Sequence, residues 1–270
     1  AQTDVKGDRL LRPADQPNPG SYVYIKERLK DGIVVEGCKL HISEASVADE
    51  VLVVPTRALR EQDKNYAVAF AIPGDWDGLK QVLTIHSLRE REHYQRGFME
   101  GSTDSYMIFE NCFVPWERVF LAGEWQHGGI NALLFALFHR HSYSGCKPAI
   151  GDVILGMAAL AAEVNNIQKE SHVREKLAEI ILVTELGYAA GYTASDLGGP
   201  KVFMPGKGFV PYGPGSYIPH SIYCNVGRCL SGEAVWRESE IFCDLAGGVV
   251  ETFPHEKDFL NPETGDLLMK

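Results

Sequence analysis

The sequence predicts an α+β protein, with a β domain over residues 1–121 and a helical domain over residues 122–270. Two observations carry this. Through the first part of the chain, short runs alternate apolar and polar residues between turn signals. After Trp116-Glu117-Arg118 the apolar period changes, and from Gly128 onward it is helical.

The elements follow in order. Residues 1–10 form a polar loop that carries Thr3, Asp4, Lys6, Gly7, Asp8 and Arg9. Ser21 to Leu29 alternates, Lys30-Asp31-Gly32 makes a turn, and Ile33 to Ile42 alternates again, which is a hairpin signature. Further strands are expected at Val51–Pro55, Tyr66–Ile72, Val82–His86 and Tyr106–Val114, with breaks such as Pro73-Gly74-Asp75. Such a set of strands makes a barrel or a sandwich. Ala132 to Gln168 then reads as one long helix or two, with a kink or break at Pro148. Ser171 to Ser195 is a second helix. A Gly/Pro-rich loop covers Gly198 to Pro219, and Ser221 to Leu245 is a third helical region stopped by Gly247-Gly248.

The chain has 270 residues and a net charge of -10, enough length for a sizeable core and the wrong charge for nucleic acid or an anionic membrane surface. His139, Lys147 and Asp152 interrupt the longest apolar runs, so no membrane span is expected. Six cysteines stand apart without a CxxC pair, which suggests reduced thiols and a cytoplasmic protein. The chain opens at Ala1 without Met and stops soon after Asn261-Pro262-Glu263-Thr264-Gly265, and a piece of a longer polypeptide is expected.

Chemistry concentrates in His139-Arg140-His141-Ser142-Tyr143-Ser144-Gly145-Cys146-Lys147. At about 3.6 residues per turn, His139, Tyr143 and Cys146 share one helix face, with Lys147 beside it. Polar groups in an apolar segment need partners if they are buried. A metal, a cofactor or a substrate would serve. Packing as ordinary core residues is the other reading of each. The glycines around Lys207 do not make a phosphate loop, because Gly208 stands where Ser or Thr is required. Neither Ser142 nor Ser144 sits in a GxSxG elbow.

This stretch, followed by Gly151-Asp152-Val153, resembles the 4-hydroxybutyryl-CoA dehydratase/vinylacetyl-CoA Δ-isomerase family. Lys6-Gly7-Asp8-Arg9, Asp31-Gly32-Ile33-Val34-Val35, Val114-Pro115 through Leu121, and Ala246-Gly247-Gly248 match in the same order. These flanking pieces are also similar to the flavin-dependent 4-hydroxyphenylacetate 3-monooxygenases. The resemblance implies an acyl-CoA dehydrogenase-like subunit of a homotetramer, with an N-terminal helical domain and the end of the bundle outside this chain. It implies FAD beside a [4Fe-4S] cluster held by one His and three Cys. His139 and Cys146 match two of those ligands, and the other two lie outside the chain.

It further implies flavin contacts at Thr3, Lys6, Gly7, Asp8, Arg9, His41, Ser43, Gly247, Gly248, Val249 and Val250. The implied catalytic residues are His139, Tyr143, Lys147 and Asp104, where Asp104 stands in place of a glutamate and is one methylene shorter. The implied reaction dehydrates a 4-hydroxyacyl-CoA to an enoyl-CoA and isomerises a vinylacetyl-CoA-type double bond by a flavin radical route. A monooxygenase without a cluster and a non-catalytic homologue are the competing expectations.

Overall fold

The computed structural model describes residues 1–84, 104–204, 206, 208–211 and 217–269. The chain divides into two compact units, Ala1–Leu133 and Leu134–Lys270. The expected division at residues 121/122 falls inside a strand, β7, ahead of the first helix.

Unit 1 holds seven named strands: β1 (Tyr24–Arg28), β2 (Gly32–Ser43), β3 (Glu50–Val53), β4 (Val68–Pro73), β5 (Leu79–Leu83), β6 (Asp104–Pro115) and β7 (Val119–Ala122). They form two antiparallel sheets, ordered β1-β2-β6-β5 and β3-β4-β7. The hairpin expected around Lys30-Asp31-Gly32 is β1–β2, with Arg28 opposite Ile33. β7 was not expected, because Val119–Ala122 is too short to display an alternation. The expected strand at Val82–His86 lies three residues early as β5, and Ile85 and His86 fall outside the described residues.

One core serves both sheets. Ile33, Val35, Met107, Phe109 and Val114 come from one, and Val51, Val53, Val68, Phe70 and Ile72 from the other. The Phe70 and Phe109 rings meet edge to face at 5.7 Å.

Unit 2 is helical: α1 (Gly128–Val164, beginning in unit 1), α2 (Ser171–Asp196) and α3 (Ser221–Leu245), then α4 (Val249–Thr252), α5 (Glu256–Leu260) and α6 (Gly265–Leu268). α1 runs through Pro148 as a single helix. Pro148 is buried against the flank of Gly187 on α2, so tertiary packing holds a helix that the proline alone would weaken. Part of the expected loop at Gly198–Pro219 is a hairpin of β8 (Lys201–Met204) and β9 (Gly208–Pro211); Pro205, Lys207 and residues 212–216 lie outside the described residues.

Small residues bring the three long helices close. A methyl group at Gly227 would stand 2.3 Å from Ser144 Oγ, one at Gly191 2.9 Å from Ser144 Cβ, and one at Gly151 2.5 Å from Thr184 Oγ1. Along α1 the buried stripe is Leu137, Ser144, Pro148, Gly151, Ile154, Ala158 and Ala162. Farther along, Ile154, Ala158, Ala162, Val173, Ile180, Ile241 and Leu245 make an apolar core.

The helix Trp125–Val164 is long and apolar enough to cross a membrane by length and composition, with a mean hydropathy of 1.3 in its most apolar window. Lys147 and Asp152 do not lower the average enough to fail that test, which is one of length and composition only. A helix packed in a bundle meets the same criteria.

Candidate functional site

The residues singled out from sequence fall into two sets, one in each unit. In unit 1 the N-terminal loop is bound to β2. The Leu40 N–H donates to the Thr3 carbonyl at 2.8 Å, and Asp4 bridges to Lys39. Lys39 is buried at 2% exposure, and its ammonium lies 2.7 Å from Asp4 Oδ1. It also donates to the carbonyls of Gln2 and Val54, both at 2.9 Å, and Thr56 donates to the other carboxylate oxygen of Asp4. Burial pushes the Lys39 pKa down and the Asp4 pKa up, each opposed by the charge of the other.

Above this pair the chain turns through Lys6 and Gly7, whose φ angles are +71° and +52°. Gly7 is required twice over, by that φ and because a Cβ there would strike Gln16 Oε1 at 2.3 Å. Gln16 holds the loop from inside, accepting from the Asp8 N–H at 3.0 Å and donating to the Asp8 carbonyl at 2.7 Å. Asp8 and Arg9 remain exposed.

At the far end of β2, His41 and Glu44 both adopt positive φ, +54° and +60°. These turns interrupt the register between Lys39 and Ile42 and set Ser43 opposite Asp104. Ser43 Oγ donates to Asp104 Oδ1 at 2.5 Å, and the His41 ring lies 6.1 Å from that of Tyr106. An implied flavin contact and an implied catalytic carboxylate thus meet at one end of a strand pair. Thr3 is hydrogen-bonded to the residue beside His41.

In unit 2, His139, Tyr143 and Cys146 lie along α1 on the flank away from its buried stripe. His139 and Cys146 are exposed, and Tyr143 and Lys147 are half-buried. The alternative reading, that these are ordinary packed core residues, does not describe His139 and Cys146 in this unit. The stripe Leu137-Ser144-Pro148-Gly151 occupies the opposite side of the helix, so those two polar groups carry no burial cost here. His139 stacks on Phe135 at 6.0 Å, and the Cys146 thiol faces the Tyr143 carbonyl at 3.7 Å. All six cysteines are free. Among the described residues no group of three or more His, Cys, Asp or Glu is placed to hold a metal ion. His139 and Cys146 thus offer two donors, where an iron–sulfur cluster takes about four.

Two further residues belong to this cluster and were missed. Arg228 of α3 lies over the Tyr143 ring at 4.4 Å. Glu238 of α3 is buried at 6% exposure and accepts no hydrogen bond from the described residues. Burial raises its pKa, opposed by the charge of Lys147. The Tyr143 phenol is also raised, first by burial, then by Cys146 and Glu238, with Arg228 opposing. A signal for Glu238 was present: Cys224, Gly227, Ser231, Ala234, Glu238, Ile241 and Leu245 repeat at spacings of three and four, so the glutamate occupies a core position. Arg228 had no such signal.

On another side of α1, His141 Nε2 lies 2.7 Å from Ser195 Oγ, beside an open groove of about 280 Å³ lined by Ser142, Tyr188 and Tyr192. Gly247 and Gly248, with φ of +69° and +80°, end α3, and Gly248 starts α4, where Val249 and Val250 lie. Among the described residues no side chain lies within 4 Å of where a Cβ at either glycine would stand, so there the backbone angle calls for glycine.

Residues 1–121 match the model of the 4-hydroxyphenylacetate 3-hydroxylase N-terminal region, and residues 131–270 match that of the C-terminal region. The chain belongs to the 4-hydroxyphenylacetate 3-hydroxylase family. Within it, the chain is 36% identical to 4-hydroxybutyryl-CoA dehydratase/vinylacetyl-CoA-Δ-isomerase of Clostridium aminobutyricum, over 96% of this chain and 52% of the relative. An oxygen-tolerant archaeal 4-hydroxybutyryl-CoA dehydratase from N. maritimus superposes with a TM-score of 0.86 at 31% identity, over 99% of this chain and 52% of that one. The oxygenase component of 4-hydroxyphenylacetate 3-monooxygenase, solved with FAD, superposes at 0.76 with 28% identity, over 97% and 53%. Glutaryl-coenzyme A dehydrogenase shares the fold alone, at 0.56 and 16% identity. The chain spans about half the length of the curated relatives it matches.

Proposed function

We propose that the full-length protein dehydrates a 4-hydroxyacyl-CoA to an enoyl-CoA and shifts a vinylacetyl-CoA-type double bond. The observation that carries this reading is His139 and Cys146 exposed on one flank of α1, with Tyr143 and Lys147 between and beside them. The likeness to two 4-hydroxybutyryl-CoA dehydratases supports it.

The donor sets fit the implied cofactors. A free thiol and an imidazole suit iron, and two further thiolates would come from outside this chain. Lys6, Arg9, the Ser43 hydroxyl and the glycine backbone at residues 7, 247 and 248 suit the phosphates and polar edge of FAD. When bound, these groups supply one-electron chemistry and a Lewis acid for the leaving hydroxyl. The chain's own residues would do the rest. The His139 imidazole moves a proton at the acyl carbons, and the Tyr143 hydroxyl relays one. The Lys147 ammonium balances negative charge at the acyl group. Asp104, held by Ser43, is a carboxylate for proton transfer. The enzyme would work as a cytoplasmic homotetramer.

The deciding experiment is iron, acid-labile sulfide and FAD analysis of full-length protein purified without oxygen, alongside enoyl-CoA formation from 4-hydroxybutyryl-CoA. Arg9→Ala is expected to weaken FAD retention. Protein without iron that hydroxylates 4-hydroxyphenylacetate with reduced flavin and oxygen would sink the dehydratase reading. The likeness to the FAD-bound oxygenase favours that second reading.

A further inference from the structure

Arg228 is an unusual cation for its setting. It is half-buried and makes no ion pair with the described residues. Its guanidinium carbon lies over the Tyr143 ring, 4.4 Å from the centroid. A guanidinium over a ring is held through its π contact and can still turn N–H groups toward an oxygen acceptor. Space for this arrangement comes from Gly232, one turn farther along α3. A Cβ at that position would stand 2.0 Å from Arg228 Nη1. The helix thus carries a glycine where the guanidinium lies back along it. Lys147, next to Cys146 on α1, likewise forms no ion pair among the described residues. Its charge is felt by Glu238, which is also felt by Tyr143. A cation without an ion pair among the described residues and a phenol therefore meet across the α1–α3 seam, with Lys147 one turn farther along α1 from Tyr143.

We propose that Arg228 binds the thioester oxygen of the acyl group, a role that rests on the acyl-CoA reading above. When C2 loses its proton to a base, the C–H electron pair becomes the C1–C2 π bond. The C1=O π pair moves onto oxygen, which takes one negative charge while the proton leaves with the base. No oxidant takes part. Arg228 offers a fork of donors to that oxygen. The stack on Tyr143 fixes the fork before the charge develops, which is what makes such donors effective.

The test measures binding, by calorimetry, of acetoacetyl-CoA and butyryl-CoA to anaerobic full-length holoprotein. Acetoacetyl-CoA has a C2–H acidified by two carbonyls and can ionise to an enolate in a site that stabilises the charge, whereas butyryl-CoA has the same CoA and a neutral acyl oxygen. Arg228→Met is expected to weaken acetoacetyl-CoA about tenfold or more, the scale of a lost charged hydrogen bond, and to leave butyryl-CoA within about threefold. Arg228→Lys should fall between, since it keeps charge and loses the fork. Gly232→Ala, which favours helix and only displaces the guanidinium, should act in the same direction as Arg228→Met and guards against a folding defect. Equal weakening of both thioesters assigns Arg228 to the CoA phosphates and overturns the proposal. No weakening of either by any variant places Arg228 outside the site and also overturns it. Failure of the wild-type protein to bind either thioester removes the acyl-CoA reading itself.

Discussion

Lys39 is a cation buried beneath the loop that carries Lys6–Arg9, and its attachment to Asp4, Gln2 and Val54 defines the path of that loop. Removing one partner leaves a buried, uncompensated charge. Lys39→Met alone should cost about 3–5 kcal/mol in urea unfolding. Lys39→Met with Asp4→Leu should recover most of the loss, because apolar groups fill the same space without desolvating a charge. Equal instability of the single and double variants would show that the pair holds the loop by geometry alone.

Glu238 gives a pH dependence with a definite sign. Its folded pKa is raised by burial, so the folded chain keeps the proton at pH values where the unfolded chain has lost it. Its contribution is therefore most favourable below the ordinary glutamate range and is lost as pH rises through the folded value. Glu238→Gln should remove that decline, leaving a variant more stable than its parent at neutral pH but not at low pH. Unfolding curves across pH 4 to 8 check it; parallel pH profiles for the two proteins would contradict it.

At the scale of the element, α1, α2 and α3 meet through Ser144, Gly191 and Gly227, and side-chain volume decides their separation. Alanine is the better helix former, yet Gly227→Ala brings a methyl group within 2.3 Å of Ser144 Oγ. Overpacking should outweigh propensity and cost about 1–3 kcal/mol. Adding Ser144→Ala should restore part of it, since the closest clash is with the hydroxyl. Additive losses in a double-mutant cycle would mean that the two positions do not share the space.

For the whole molecule, unit 2 exposes large apolar side chains along its helices, among them Leu160, Val164, Leu182, Leu186, Tyr192, Ile222 and Trp236, the last at 81% exposure. Exposed apolar side chains in this number are what another element or a subunit covers. In the anaerobic full-length protein, Cys146→Ser should keep assembly and FAD while iron is lost or becomes labile, since serine offers a harder oxygen at similar size. His139→Ala should lose iron and both activities. Full iron and full dehydratase activity in Cys146→Ser would remove the cluster from α1 and favour the monooxygenase reading.

Much of the fold was legible in residue order. Period-two runs placed β1, β2, β4 and β6, and helical period placed α2 and α3 almost to their ends, because a half-buried strand or helix must alternate its sides with its own geometry. The motif from His139 to Lys147 was legible for the same reason: helix periodicity alone puts three of its members on one face. Other features depended on groups distant in the chain. Pro148 stays helical because Gly187 leaves room beside it, and Ser43 meets Asp104 because two positive φ residues reset a strand register. Arg228 reaches Tyr143 only because Gly232 clears its path and two helices lie side by side. Periodicity reports which side of an element faces the core. It carries no information on which residue of another element stands opposite, and that is what tertiary packing decided here.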